Sequence, residues 1–223
     1  MNHQPQSTVV MSLTLEANAL ECVRGERKLF QNLCFSLEPG ELLEVSGSNG
    51  SGKTSLLRML CGFLSPTAGE ILWQGANIQT LKEEYLKGLA YLGHANGVKA
   101  ELSASENLRI SGGLAGKYPS EEKIGAALKR MGLHDSEALP AKTLSQGQQR
   151  RLALARLLVT DKALWVLDEP LTALDAAAVR LVQSVLEEHL KGGGMAVLTT
   201  HQPLDIHAVK TTRIHLASLV SEH

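Results

Sequence analysis

The run Gly47-Ser48-Asn49-Gly50-Ser51-Gly52-Lys53-Thr54 constrains this chain more than any other feature. It is a full GxxxxGK[ST] pattern between an apolar run, Glu41 to Ser46, and a helical pattern, Ser51 to Cys61, whose Leu56, Leu57, Leu60 and Cys61 form one stripe. Glycines at this spacing let successive backbone N–H groups turn toward one anion, and the helix that follows presents its positive end to it. In such a loop Lys53 reaches the β- and γ-phosphates of a nucleotide, and the Thr54 hydroxyl ligates Mg²⁺. The strand–loop–helix context argues against a chance Gly/Ser loop.

Around this loop β-like runs alternate with amphipathic stretches, which predicts an α/β domain with a largely parallel central sheet. Besides Glu41 to Ser46, strands are expected at Leu29 to Leu37, Gly69 to Trp73, Gly88 to Leu92, Ala163 to Leu167, Met195 to Thr200 and, closing the chain, Arg213 to Leu219. Helices are expected at Ser103 to Ile110, Glu121 to Met131, Gln146 to Leu158 and Ala176 to Leu190, with Gly112 to Gly116 a Gly-rich loop between the first two. The middle block therefore reads as a helical insertion. A length of 223 residues suits one well-buried core carrying such an insertion.

Several function classes are disfavoured. A net charge of -1 offers no basic excess for tracking phosphate backbones, so no nucleic acid partner is expected. Cys22, Cys34 and Cys61 form no CxxC pair, which suggests neither a zinc site nor a disulfide framework and fits a reducing compartment. The longest apolar stretches, such as Leu152 to Val159 around Arg156, fall short of the roughly 18 residues a membrane span needs. Met1 to Val10 lacks the basic start and apolar core of a signal peptide, so a cytoplasmic protein is expected, held at a membrane only by a partner. Residues 1–10 read either as a tail or as the product of an upstream start codon.

A second element supports the first. Ala163-Leu164-Trp165-Val166-Leu167-Asp168-Glu169 is an apolar strand ending in two carboxylates. Alone, such a pair is more often a solvated helix cap. Beside a phosphate loop, Asp168 belongs near the Mg²⁺ hydration shell and Glu169 is free to orient or deprotonate water. Between the two elements lies Leu144-Ser145-Gln146-Gly147-Gln148-Gln149-Arg150-Arg151. Ser145 and the Gly147 backbone open a helix, a geometry suited to a phosphate group, although an N-capped surface helix would look alike.

This last run resembles the LSGGQ signature of the ABC ATPases, with Gln146 in place of the usual glycine. Leu174-Asp175 resembles the D-loop, which touches the opposing subunit, and His201 after the Met195 to Thr200 strand resembles the switch histidine at the γ-phosphate. The resemblance spans about Leu13 to Leu219. It implies a P-loop NTPase of the ABC-ATPase fold: a RecA-like core with an antiparallel β subdomain and an inserted helical signature subdomain at about 94–159, flanked by tails at 1–10 and 220–223. It further implies an ATPase that uses ATP and Mg²⁺, dimerises on binding ATP, and works with separate integral membrane subunits.

Two positions depart from the family pattern. Arg24 stands where most members stack an aromatic ring on adenine; a guanidinium plane can also stack, which leaves GTP tolerated. His94 stands where a glutamine senses Mg²⁺ and water, and an imidazole there can change charge near neutral pH. With Leu144 to Arg151 and Thr199-Thr200-His201-Gln202-Pro203-Leu204, these departures resemble the ATPase subunits of cytochrome c maturation systems, also called haem exporters. That resemblance implies a peripheral protein on the cytoplasmic face of the bacterial inner membrane, supporting haem delivery to the periplasm. No direct haem binding is expected, and nucleotide sensing is preferred to haem ligation for His94. Export of another substrate, a soluble ATP-dependent switch and a small-molecule kinase are the rival readings.

Overall fold

The computed structural model describes residues 13–202, 204, 206 and 210–217. In chain order the elements are β1 (Leu15–Arg24), β2 (Arg27–Leu37), β3 (Leu42–Gly47), α1 (Lys53–Leu60), β4 (Ala68–Trp73), β5 (Ala76–Asn77), α2 (Ile78–Leu81), α3 (Glu83–Lys87) and β6 (Leu89–Leu92). They continue with α4 (Ala104–Leu114), α5 (Glu121–Arg130), α6 (Gln146–Val159), β7 (Leu164–Asp168), α7 (Ala176–Lys191), β8 (Met195–Thr199) and β9 (Thr211–Leu216). Single 3₁₀ turns at His134–Ser136 and Ala141–Thr143 link α5 to α6. One antiparallel sheet has the order β2-β1-β4-β5, and one parallel sheet the order β6-β7-β8-β3-β9.

The parallel sheet separates two apolar cores, and strand periodicity sends alternate residues to each. Leu164 and Val166 of β7, Met195 and Val197 of β8, and Leu43 and Val45 of β3 join the core shared with α1 and the antiparallel sheet. Trp165, Leu167, Ala196, Leu198 and Leu42 join the core shared with the helical block and α7. Every residue of β7 and β8 is buried, which is why these strands read as unbroken apolar runs rather than alternating ones. Among the described residues no helix is long and apolar enough to cross a membrane.

The expected strands and helices form with shifted ends, and one expectation fails. Gly112 and Gly113 do not begin a loop: α4 runs through them to Leu114. Their lack of a side chain is used for close approach, since a Cβ at Gly113 would lie 2.5 Å from the Tyr118 ring and one at Gly112 would collide with Pro119. The closing strand begins at Thr211 and ends at Leu216; Leu219, like residues 1–10, Pro203 and 220–223, lies outside the described residues.

Strand β1 was not legible in the sequence because its alternation slips. Leu15 and Ala17 are buried, then Leu20 and Cys22, so the phase changes at a bulge centred on Ala19, whose φ is 49°. Short β5, α2 and α3 also gave no periodic signal, being two, four and five residues long.

Candidate functional site

Parallel strands deliver their C-terminal ends to one edge, and that edge is where the chemistry-bearing residues gather. Strand β3 ends at Gly47 and runs into the glycine loop, β7 ends at Asp168, and β8 ends at Thr199, paired with Asp168 in register. Strand β6 ends at Leu92, just before Gly93 and His94. Between these ends lies a cavity of about 530 Å³. Its walls include Asn49, Gly50 and Gly52 to Ser55 on one side, and His94, Asp168, Glu169 and His201 on the other.

The loop needs glycine at specific points. Gly52 caps α1 with φ 106°, and a Cβ there would sit 3.1 Å from the Phe30 ring. Gly47 has φ 148°, and its Cβ would lie 2.5 Å from the Leu216 carbonyl oxygen. Lys53, buried at the first turn of α1, donates from Nζ to the Gly47 and Ser48 carbonyls at 2.7 and 3.2 Å. An ammonium has three donors, so these bonds aim the group and leave one N–H for an incoming oxygen. Buried Ser51 Oγ has no hydrogen-bond partner among the described residues.

Asp168 is 4% exposed and ties three segments together. Its Oδ2 accepts from Thr54 Oγ1 at 2.9 Å and its Oδ1 from Thr199 Oγ1 at 2.7 Å. Thr199 Oγ1 in turn accepts from the Glu169 N–H at 2.9 Å. The Thr54 hydroxyl and the Asp168 carboxylate thus converge as hard oxygen donors, the set that suits Mg²⁺. Among the described residues there is no cluster of three or more His, Cys, Asp or Glu that could hold a metal ion.

Glu169 is the residue with most to explain. Its φ is 50°, a left-handed backbone for a non-glycine residue, and it precedes Pro170, which ordinarily favours an extended conformation. This turn points the side chain back into the cavity. Oε1 lies 3.3 Å from His201 Nε2, without hydrogen-bond geometry, so a buried carboxylate oxygen is left with no hydrogen-bond partner among the described residues. His201 is 57% exposed by side chain. Its turn is pinned by Thr200 Oγ1, which accepts from the Gln202 N–H at 3.0 Å.

The signature run stands apart from this cavity. Ser145 caps α6 in a reciprocal box: its Oγ accepts from the Gln148 N–H at 3.2 Å, while Gln148 Oε1 accepts from the Ser145 N–H at 2.8 Å. Ser145 and Gln146 are exposed and Leu144 is buried beneath them. None of residues 144–148 is among those lining the cavity. Gly147 faces the next loop, where a Cβ would come 3.0 Å from the Ala173 carbonyl oxygen. Asp175 is exposed and caps α7, accepting from the Ala178 N–H at 2.8 Å.

Arg24 lies at the exposed end of β1, opposite Arg27 across the hairpin, and does not line the cavity. Arg27 comes nearer: its guanidinium would be 3.7 Å from a Cβ on Gly50. Sequence reasoning also passed over Thr199, Thr172, Leu29 and Arg150. Arg150 is 3% exposed and donates to the carbonyls of Pro170 (3.2 Å), Asp168 (2.9 Å), Glu169 (2.7 Å) and Gly93 (3.1 Å) and to Asn96 Oδ1 (3.1 Å). Burial pushes its guanidinium down from the ordinary value, and the Asp168 and Glu169 charges push it back up. The signal was available: Arg150 shares the buried face of α6 with Ala153, Leu154 and Leu157, a stripe where a charge needs partners.

A family model described as ABC transporter matches residues 30–172. The cytochrome c biogenesis ATP-binding export protein CcmA of Nitrosospira multiformis is 56% identical over 203 residues, covering 91% of this chain and 98% of that protein. Its counterpart from Nitrosomonas europaea is 55% identical over 201 residues, covering 90% and 93%. Among solved structures, an ABC transporter ATP-binding protein from Pyrococcus furiosus superposes with a TM-score of 0.79 at 26% identity, over 90% of this chain and 96% of that one. The chain therefore belongs to the ABC transporter family, among its cytochrome c biogenesis ATP-binding export proteins.

Proposed function

We propose that this chain is the ATP-hydrolysing subunit of a cytochrome c maturation transporter, acting as an ATP-closed pair on the cytoplasmic face of the bacterial inner membrane. The observation that carries the reading is the bridge Thr54–Asp168–Thr199, of which Thr54 and Asp168 line the cavity together with Lys53 and Glu169. The glycine loop N–H groups and Lys53 hold the β- and γ-phosphates. Thr54 and Asp168 would hold Mg²⁺, which when bound supplies charge neutralisation at the phosphate oxygens. Glu169 orients the attacking water through Oε1, which lacks a hydrogen-bond partner among the described residues, and His201 holds the γ-phosphate beside it. His94, on the cavity wall, reads the water or the cation.

The second half of each site comes from another copy. Ser145 accepts within its cap, yet its O–H remains free to donate, and the exposed α6 tip presents it outward. Since that tip is absent from its own cavity wall, the nucleotide it serves is held by the facing subunit, with Asp175 at the seam. Arg27, with Arg24 behind it, supplies the planar cation that meets the base, in place of an aromatic ring. A separate apolar groove of about 480 Å³ between β6, α4 and α6 suits the membrane subunits; exposed Leu86 and Leu114 flank Lys87 and Lys162 there.

Hydrolysis removes the contacts that favour closure, so the pair opens and the membrane subunits change state. The test is Glu169→Gln, which keeps the shape and removes the carboxylate. Gel filtration at saturating Mg-ATP is expected to show a stable dimer with little turnover. A monomeric variant hydrolysing at the normal rate would sink the reading.

A further inference from the structure

Arg150 stands one turn below the α6 tip, and its acceptors belong to two separate segments. One is the end of β7 and its turn, reached at the carbonyls of Asp168, Glu169 and Pro170. The other is the loop after β6, reached at Gly93 O and Asn96 Oδ1, on either side of His94. The same loop is gripped again by Arg156, which donates to Asn96 O at 3.1 Å. Glu169 keeps a left-handed backbone before a proline, a conformation that persists only where surroundings over-determine it. The shortest Arg150 bond, 2.7 Å, goes to the Glu169 carbonyl itself.

We propose that Arg150 is a positioning residue for hydrolysis: it locks the Glu169 turn and the His94 loop to α6, so that a shift of the α6 tip on meeting the other copy's nucleotide reaches the water-orienting carboxylate of its own chain. The inference rests on the reading of Glu169 given above. The planar guanidinium fork matters more than the charge. A lysine ammonium has three donors from one point and cannot span acceptors on both segments, although it keeps the positive charge beside Asp168 and Glu169.

The experiment uses the full chain copurified with its membrane subunits. For Arg150→Lys, kcat for Mg-ATP is expected to fall about tenfold or more while KM and the affinity for a fluorescent ATP analogue stay within about twofold. In a Glu169→Gln background, single-turnover hydrolysis is expected to show no additional loss from Arg150→Lys, because the arginine acts through the missing carboxylate. Losses that multiply in the double variant, or a raised KM with kcat kept, would assign Arg150 a general structural role and overturn the proposal. So would wild-type kcat in Arg150→Lys alongside an inactive Glu169→Gln, whereas an active Glu169→Gln overturns the parent reading. Should Arg150→Lys fail to fold, Asn96→Ala decides: removing that acceptor is expected to lower kcat about two- to threefold with KM unchanged, and an unaltered kcat refutes the link.

Discussion

Replacing Thr199 with valine tests the site where packing and chemistry meet. Valine matches threonine in shape, and Thr199 is fully buried, so the change removes a hydroxyl with little change in volume. Two bonds disappear: the donation to Asp168 Oδ1 at 2.7 Å and the acceptance from the Glu169 N–H at 2.9 Å. A bond to a carboxylate contributes about 1.5–3 kcal/mol and a stranded buried N–H costs about 1–3 kcal/mol. Asp168 retains Thr54 on its other oxygen, so the two losses overlap and about 3 kcal/mol is the expected total. For a chain of this size each kcal/mol moves the melting temperature by about 2–4 °C, giving a drop of about 6–12 °C. The Asp168 carboxylate and the Glu169 turn lose a shared support, so kcat is expected to fall at least about tenfold. Thr199→Ser is the control: it keeps the hydroxyl and deletes a methyl, worth about 1 kcal/mol. Thermal unfolding and steady-state ATP turnover on the three proteins decide the matter. If the valine protein melts within about 2 °C of wild type, or if serine is as damaging as valine, the hydroxyl is not the support described here.

Two other outcomes follow from single side chains. Lys53→Ala removes the cation inside the glycine loop while leaving the exposed surface untouched; nucleotide affinity by fluorescence titration is expected to fall at least about tenfold, and an unchanged Kd would remove Lys53 from the phosphate site. His189 stacks on Trp165 with ring centroids 3.7 Å apart, and burial holds its pKa below the ordinary 6.5. As pH falls, the unfolded chain takes up this proton first, so the stability tied to the neutral ring is complete above 6.5 and declines below it toward the folded-state pKa. His189→Phe keeps the stack and is expected to flatten the acid side of the melting-temperature curve, a slope that would persist if other groups cause it.

How much of this was visible in the sequence depends on how local each signal is. The glycine loop, the two acids after a buried strand and the α6 cap are each written within a few consecutive residues, so their placement could be read directly. The Gly112–Gly113 pair misled because glycine serves both loops and tight helix contacts, and only the position of Tyr118 and Pro119 separates the two uses. Strand β1 was hidden by its bulge, since a one-residue slip at Ala19 erases alternation over a window of that length. Thr199 and Arg150 were hidden for a different reason: their roles exist only across strand ends and helix turns brought together from 31 and 57 residues away. A threonine at the end of an apolar strand fits packing as well as hydrogen bonding. An arginine on the apolar face of α6 is harder to dismiss, because burying that charge without acceptors would cost more than the helix could recover. The acceptors it found are the carbonyls around Asp168, Glu169 and His94, so the same burial that completes the helical core also fixes the geometry of the nucleotide edge.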